Sequence, residues 1–294
     1  MLKRWLQLVM WAAISSSPAQ AVTVMDDAQQ TVQVKAQVRR VVSLLPSLTE
    51  TVCALGACDR LVGVDRYSNW PASVQALPKL GGGIDPSIEA VVAQRPDLVL
   101  MAGSTRGADR LLSLGITVLR LEPRTRSDAQ RVMMTVATAL GLPQAAAQQT
   151  WQDIQQQVDQ AVQQLTAQAR AQRVYVEVSP APYGASESSF IGENLQRMGV
   201  ANILPASMGP FPKVNPEFVV RAQPDVIIAG DSSRQSMLMR PAWPQLKALR
   251  EDRVCVFPQA QADILVRAGP RMAEGARLMV DCLNRAANQP RKER

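Results

Sequence analysis

The sequence contains no histidine. That absence excludes His-dependent acid–base catalysis, Ser-His-Asp triads and histidine-ligated metal sites. Aromatic residues are scarce, 4% of 294 residues, so any ring that lines a binding surface comes from a stock of five Trp, three Tyr and four Phe. There is no G-x-G-x-x-G, no P-loop and no G-x-S-x-G, and the one glycine run, LGGGID, follows no convincing strand. Catalysis is therefore the weakest of the function classes. Asp65, Glu122 and Asp231 near strand ends are its only candidates, and single acids at loop starts are usually caps or solvated groups. The net charge of +7 is scattered, and its one basic cluster is the tail RKER at 291–294. That pattern gives no nucleic-acid surface.

Beyond residue 14 no apolar run approaches the eighteen residues that span a bilayer. The first residues read as a leader: Lys3 and Arg4, an apolar stretch from Trp5 to Ile14, then Ala19-Gln20-Ala21 as a small-x-small cleavage pattern. Residues 1–21 are expected to be a cleaved signal peptide, with an uncleaved membrane anchor as the alternative. No Cys follows the apolar run, so no lipid anchor is expected there. The four cysteines suit an oxidising compartment. Cys53 with Cys58, and Cys255 with Cys282, are possible disulfides. Buried free thiols remain open for each pair.

What the chain does contain is one unit written twice. Ile88 to Leu100 reads IEAVVAQRPDLVL and Pro216 to Ile228 reads PEFVVRAQPDVII, at a constant offset of 128. Each copy predicts a short helix with a glutamate in its first turn, a Pro-Asp break and an apolar strand. Ser87 and Asn215 are matched candidate N-caps, which put Glu89 and Glu217 at the second helical position. An acid there suits the helix dipole, worth about 0.3–1 kcal/mol. That accounts for each glutamate singly but not for both copies sharing it.

Apolar β-rich runs alternate with helical patterns along the chain, which predicts parallel α/β layers. Strands are expected at Arg40–Leu45, Leu61–Asp65, Leu98–Ala102, Thr117–Glu122, Arg173–Val178, Asp225–Ala229 and Val254–Phe257. A helix Thr49–Leu55 is expected behind a Ser47-x-x-Glu50 capping box. Between the halves, Trp151, Ile154, Val158, Val162 and Leu165 recur at helical spacing. The expected fold is thus α/β: two similar doubly wound lobes, 38–141 and 173–288, joined by one long helix within 142–172, with a ligand cleft between them. A single rigid linking helix predicts a small hinge motion.

The stretch VVSLLPSLTETVCALGACDRLVGVDRYSNWPASVQALPKLGGGIDPSIEAVVAQRPDLVL, the paired Pro-Asp units and RAGPR at 267–271 resemble the periplasmic solute-binding proteins of ABC importers that have a helical backbone between lobes. Within them the likeness is to the cobalamin-binding proteins, and it covers about residues 38–285. The resemblance implies a periplasmic protein, without catalysis and without a cofactor or metal of its own, that captures cobalamin or a related corrinoid. It would work as a monomer and deliver its cargo to an inner-membrane permease. Carried over position by position, it implies ligand contacts at Pro46, Tyr67, Phe211, Asp263 and Arg267, with Tyr183 and Phe190 lining the second lobe. Glu89 and Glu217 match the glutamates that dock on the permease. Gly83 stands where cobalamin binders can carry a tryptophan, and Trp70 is expected to compensate. Haem or an iron–siderophore is the alternative cargo, with Tyr67, Tyr183 and the methionines as remaining haem ligands. Arg66, Arg106, Arg124 and Arg267 are the arginines that would suit a siderophore.

Overall fold

The computed structural model describes residues 21–289. Leader positions 1–20 and the basic tail lie outside the described residues. Among the described residues no helix is long and apolar enough to cross a membrane.

The chain begins with an antiparallel hairpin, β1 (Val22–Met25) with β2 (Thr31–Val34). The first lobe then runs β3 (Val41–Ser43), α1 (Pro46–Ala54), β4 (Leu61–Val64), α2 (Ile88–Ala93), β5 (Leu98–Met101), α3 (Ala108–Ser113), β6 (Val118–Arg120) and α4 (Arg126–Ala139). Its sheet has the order β4-β3-β5-β6 and is parallel throughout. Strand β5 reads LVLM because both its faces are covered, the reason parallel strands are continuously apolar. Leu98 and Leu100 face one core with Val132 and Val136 of α4, while Val99 and Met101 face another with Val91 of α2 and Leu111 of α3.

The linking segment carries one long helix, α5 (Gln144–Gln163), about 30 Å at 1.5 Å per residue. It stops short of the full apolar stripe. Thr166 caps a new short helix, α6 (Ala167–Arg170), by accepting from the Ala169 amide at 3.2 Å. Trp151, Ile154 and Val158 of α5 are buried against Ala129 and Met133 of α4 and against the second lobe.

The second lobe runs β7 (Arg173–Ser179), β8 (Tyr183–Gly184), α7 (Phe190–Arg197), β9 (Ala201–Asn202), α8 (Pro216–Ala222), β10 (Val226–Gly230), α9 (Asp231–Met239), α10 (Lys247–Arg250), β11 (Val254–Phe257), α11 (Gln259–Leu265) and α12 (Met272–Asn288). Its sheet is separate, with the order β11-β10-β7-β8 and β9 also paired to β7. Only β8 runs antiparallel in it.

The repeated unit serves the same structural end twice. Asp97 accepts from the Arg39 and Arg40 amides at 2.8 and 2.9 Å, fixing the chain that enters β3. Asp225 accepts from the Arg173 amide at 3.0 Å, at the start of β7. Burial alone would raise the Asp97 carboxyl, but Lys35 and those two amides outweigh it and hold the group below its ordinary range. Both cysteine pairs form disulfides, Cys53–Cys58 and Cys255–Cys282.

One local expectation fails. Helix α1 starts at Pro46, whose missing N–H suits a first helical position, behind Leu45 with no side-chain cap. Ser47 and Glu50 lie inside the helix and are buried. No capping box forms, because Glu50 is spent on a partner from the other lobe.

Candidate functional site

Parallel strands deliver their following loops to one end of the sheet, and a crevice forms there. In the first lobe these loops are Leu45–Ser47 after β3, Asp65 and Tyr67 after β4, Ala102 and Ser104 after β5, and Glu122–Arg124 after β6. Phe211 and Val266–Ala268 face them from the second lobe, and a cleft of about 400 Å³ lies between.

The first-lobe wall is held by buried polar contacts. Asp65 accepts from the Tyr67 amide at 2.9 Å and from the Ser68 hydroxyl. Ser68 is linked on through Thr49 to Ser43, each step 2.8 Å. Desolvation raises the Asp65 carboxyl above its ordinary value, although those two donors oppose the shift. The chain of hydroxyls fixes the loop, and the Tyr67 ring, 60% exposed, is left facing outward into the cleft. The glycine loop is pinned as well. Gly83 O accepts from Thr105 Oγ1 at 2.6 Å, and Ile84 O accepts from the Arg106 amide at 2.9 Å. Among the described residues a Cβ added at Gly83 would meet only Leu44 O, at 3.5 Å. The cleft wall here is bare backbone with room for a side chain.

Two seams between the lobes border the cleft. At one, Arg124 O accepts from the Phe190 amide at 2.9 Å and Glu193 Oε2 accepts from the Arg126 amide at 2.5 Å. At the other, Arg267 of the second lobe reaches Glu50 Oε1 and Asn69 Oδ1 at 2.8 Å, Tyr67 O at 3.0 Å and Asp263 Oδ2 at 2.9 Å. Desolvation is the largest influence on Glu50 and raises its carboxyl; Arg267 opposes it. Among the described residues, Oε2 of Glu50 is buried without a partner.

The structure brings Pro46, Tyr67, Gly83, Phe211 and Arg267 to the cleft wall. It does not bring four other expected residues there. Asp263 sits behind the wall, accepting from Arg267 and, at 2.8 Å, from Asn69. The Asp263–Arg267 ion pair is mostly buried in a seam. Trp70 lies against the Arg271 guanidinium, 5.0 Å from its ring centre, and does not fill the space at Gly83. Phe190 is 3% exposed, packed under Phe211 with ring centres 6.1 Å apart. Tyr183 sits on β8, bridged to Lys213 and away from the cleft wall. Ile84, Asp85, Ser104 and Val266 line the cleft and were not singled out in the sequence. Their one signal was position just past a strand, a turn or a helix. Glu89 and Glu217 are exposed in the first turns of α2 and α8, one on each lobe.

Among the described residues no cluster of three or more His, Cys, Asp or Glu side chains is placed to hold a metal ion. Two sheet-based lobes with a ligand-sized cleft between their loops define a solute-binding protein. The chain belongs to the periplasmic binding protein family, whose model matches residues 41–260. It is a family of substrate-binding components of transporters rather than of enzymes. The chain is 28% identical to an uncharacterized ABC transporter substrate-binding lipoprotein, YvrC, of Bacillus subtilis, over 89% of this chain and 85% of that one. It is 28% identical to the vitamin B12-binding protein of Pectobacterium carotovorum, over 80% and 84%. The fold is shared with the apo periplasmic heme-binding protein RhuT of Roseiflexus sp. RS-1, at a TM-score of 0.71 and 23% identity, over 85% and 100% of the two chains.

Proposed function

We propose that the protein captures cobalamin or a related corrinoid in the periplasm, after cleavage of residues 1–21, and hands it as a monomer to an inner-membrane permease. The observation that carries this reading is the placement of Tyr67 and Phe211 on opposing walls of one cleft, beside Pro46 and Arg267. Aromatic faces suit the faces of a large flat macrocycle, and a few fixed polar groups suit its amide edge. Cobalamin brings its own cobalt and axial ligands, which fits a chain without histidine. The similarity to a vitamin B12-binding protein supports the same cargo. The seams at Phe190–Arg124 and Arg267–Glu50 favour a small closure around a mostly preformed site.

Haem is the alternative cargo, favoured by one observation: the Tyr67 phenol is exposed in the cleft and offers an axial oxygen. Calorimetric titration with cyanocobalamin, beside optical titration with haemin and with a ferric siderophore, separates the readings. Saturable cyanocobalamin binding is expected. Binding of only haemin or the siderophore overturns the corrinoid assignment.

A further inference from the structure

The cleft continues past Phe211. Glu122, Arg124 and Phe211 also wall a side recess of about 340 Å³, together with Met208, Gly209 and Pro210. Arg124 stands at the junction of the two spaces, and both its ends are fixed. Its amide donates to Asp128 Oδ2 at 3.2 Å, and its carbonyl accepts from Phe190 across the seam. The side chain is 54% exposed, and its guanidinium makes a loose ion pair with Glu122 at 3.3 Å. Glu122 in turn is held by the Ser104 amide and hydroxyl, both at 3.2 Å. The hairpin braces this loop from behind, where Asp27 accepts from the Glu122 amide at 2.7 Å. An arginine carries five N–H donors in a planar fork that matches phosphate and carboxylate oxygens. At Arg124 most of that capacity is turned toward open space on a rigid backbone.

We propose that this recess is a second subsite, in which Arg124 receives an anionic arm, phosphodiester or carboxylate, of the macrocycle whose ring fills the main cleft. The proposal rests on the macrocycle reading above. Met208, Gly209, Pro210 and Phe211 line the rest of the recess, so an arm lying along it brings its charged group to Arg124. A corrinoid with its nucleotide loop would present a phosphodiester there, and a haem would present propionates. The subsite therefore discriminates among macrocycles by their arms, where the main cleft reads their rings.

The test compares ligands that differ in that arm. Wild type, R124Q and M208W are titrated with cyanocobalamin, which carries the phosphodiester arm, and with dicyanocobinamide, which lacks it. The quantity read is the ratio of the two affinities. Wild type is expected to favour cyanocobalamin, and each variant is expected to reduce that preference at least tenfold, R124Q by losing the charge and M208W by filling the recess. No preference in wild type, or a ratio unchanged in both variants, overturns the subsite. A wild type that takes haemin and neither corrinoid ends the corrinoid reading instead. The same ratio is then read between haemin and its dimethyl ester, and again an unchanged ratio overturns the subsite. A wild type that binds none of these probes overturns both.

Discussion

Arg267 Nη1 donates to Glu50 Oε1 at 2.8 Å, and the two residues belong to different lobes, 217 positions apart. Both are almost fully buried. Removing one partner of a buried pair leaves an uncompensated charge, at a cost of about 3–5 kcal/mol. R267A is therefore expected to lose about that much stability at pH 7 in urea titrations. The double variant E50Q/R267A should recover part of the loss, because no orphaned Glu50 charge remains. A double variant no more stable than R267A would mean that the pair carries no such coupling.

The same pair gives a pH dependence with a definite sign. Burial raises the Glu50 carboxyl above its ordinary value despite Arg267. The folded state then keeps a proton that the unfolded chain has already released. The contribution is fully present below the ordinary carboxylate pKa and is lost as pH rises through the raised value. Stability of wild type minus that of E50Q should decline from about pH 4 upward. Asp65 shifts in the same direction, but it is common to both proteins and cancels. A difference that is flat or grows with pH would refute the assignment.

The Arg267–Glu50 contact also marks where the sequence stops being legible. The seven principal strands could be read because parallel strands buried on both faces are continuous apolar runs, as Leu98–Met101 and Val226–Gly230 are. The matched caps Ser87 and Asn215 were readable because capping is local: they accept from the Ala90 and Glu217 amides at 3.2 and 2.9 Å. Glu50 looked equally local, at the end of PSLTE, yet a partner 217 residues away claims it. Three of the five aromatics expected in the cleft, Trp70, Tyr183 and Phe190, lie elsewhere for a related reason. Ring identity does not say which way a ring points, so Phe190 and Phe211 read alike although one is the floor beneath the other. The hairpin at 22–34 was missed because its alternation is short and adjoins the leader. The apolar stripe runs on to Leu165, past the end of helix α5, because Thr166 restarts the chain as a new cap.

That distinction between wall and floor is measurable. Tyr67 and Phe211 line the cleft. Y67A and F211A should each weaken cyanocobalamin binding by about tenfold, roughly 1.4 kcal/mol, with little change in unfolding. F190A should instead cost about 3–5 kcal/mol of stability, as a large buried ring replaced by a cavity does. Calorimetry and urea titration on the three variants read both quantities. Binding curves for Y67A and F211A that superimpose on wild type would remove both rings from the site.

Glu89 and Glu217 stand at the second positions of α2 and α8, each behind a side-chain cap, one per lobe. Glu217 is 80% exposed, and its one ion-pair partner among the described residues, Arg221, is 3.9 Å away. Interaction with the helix dipole gives each about 0.3–1 kcal/mol, too little to demand an acid in both copies. We propose that these two carboxylates, carried on separate lobes, dock at two points on paired arginines of the permease, where charge complementarity sets register and encounter rate. E89K/E217K should therefore abolish uptake in cells that depend on this protein. Stability should fall by less than about 2 kcal/mol, and cyanocobalamin affinity should stay within about twofold, well under the 1.4 kcal/mol of a tenfold change. Each single reversal should reduce uptake less than the pair. A large loss of affinity in the double variant would move the glutamates into ligand binding, and uptake at the wild-type rate would end the docking role.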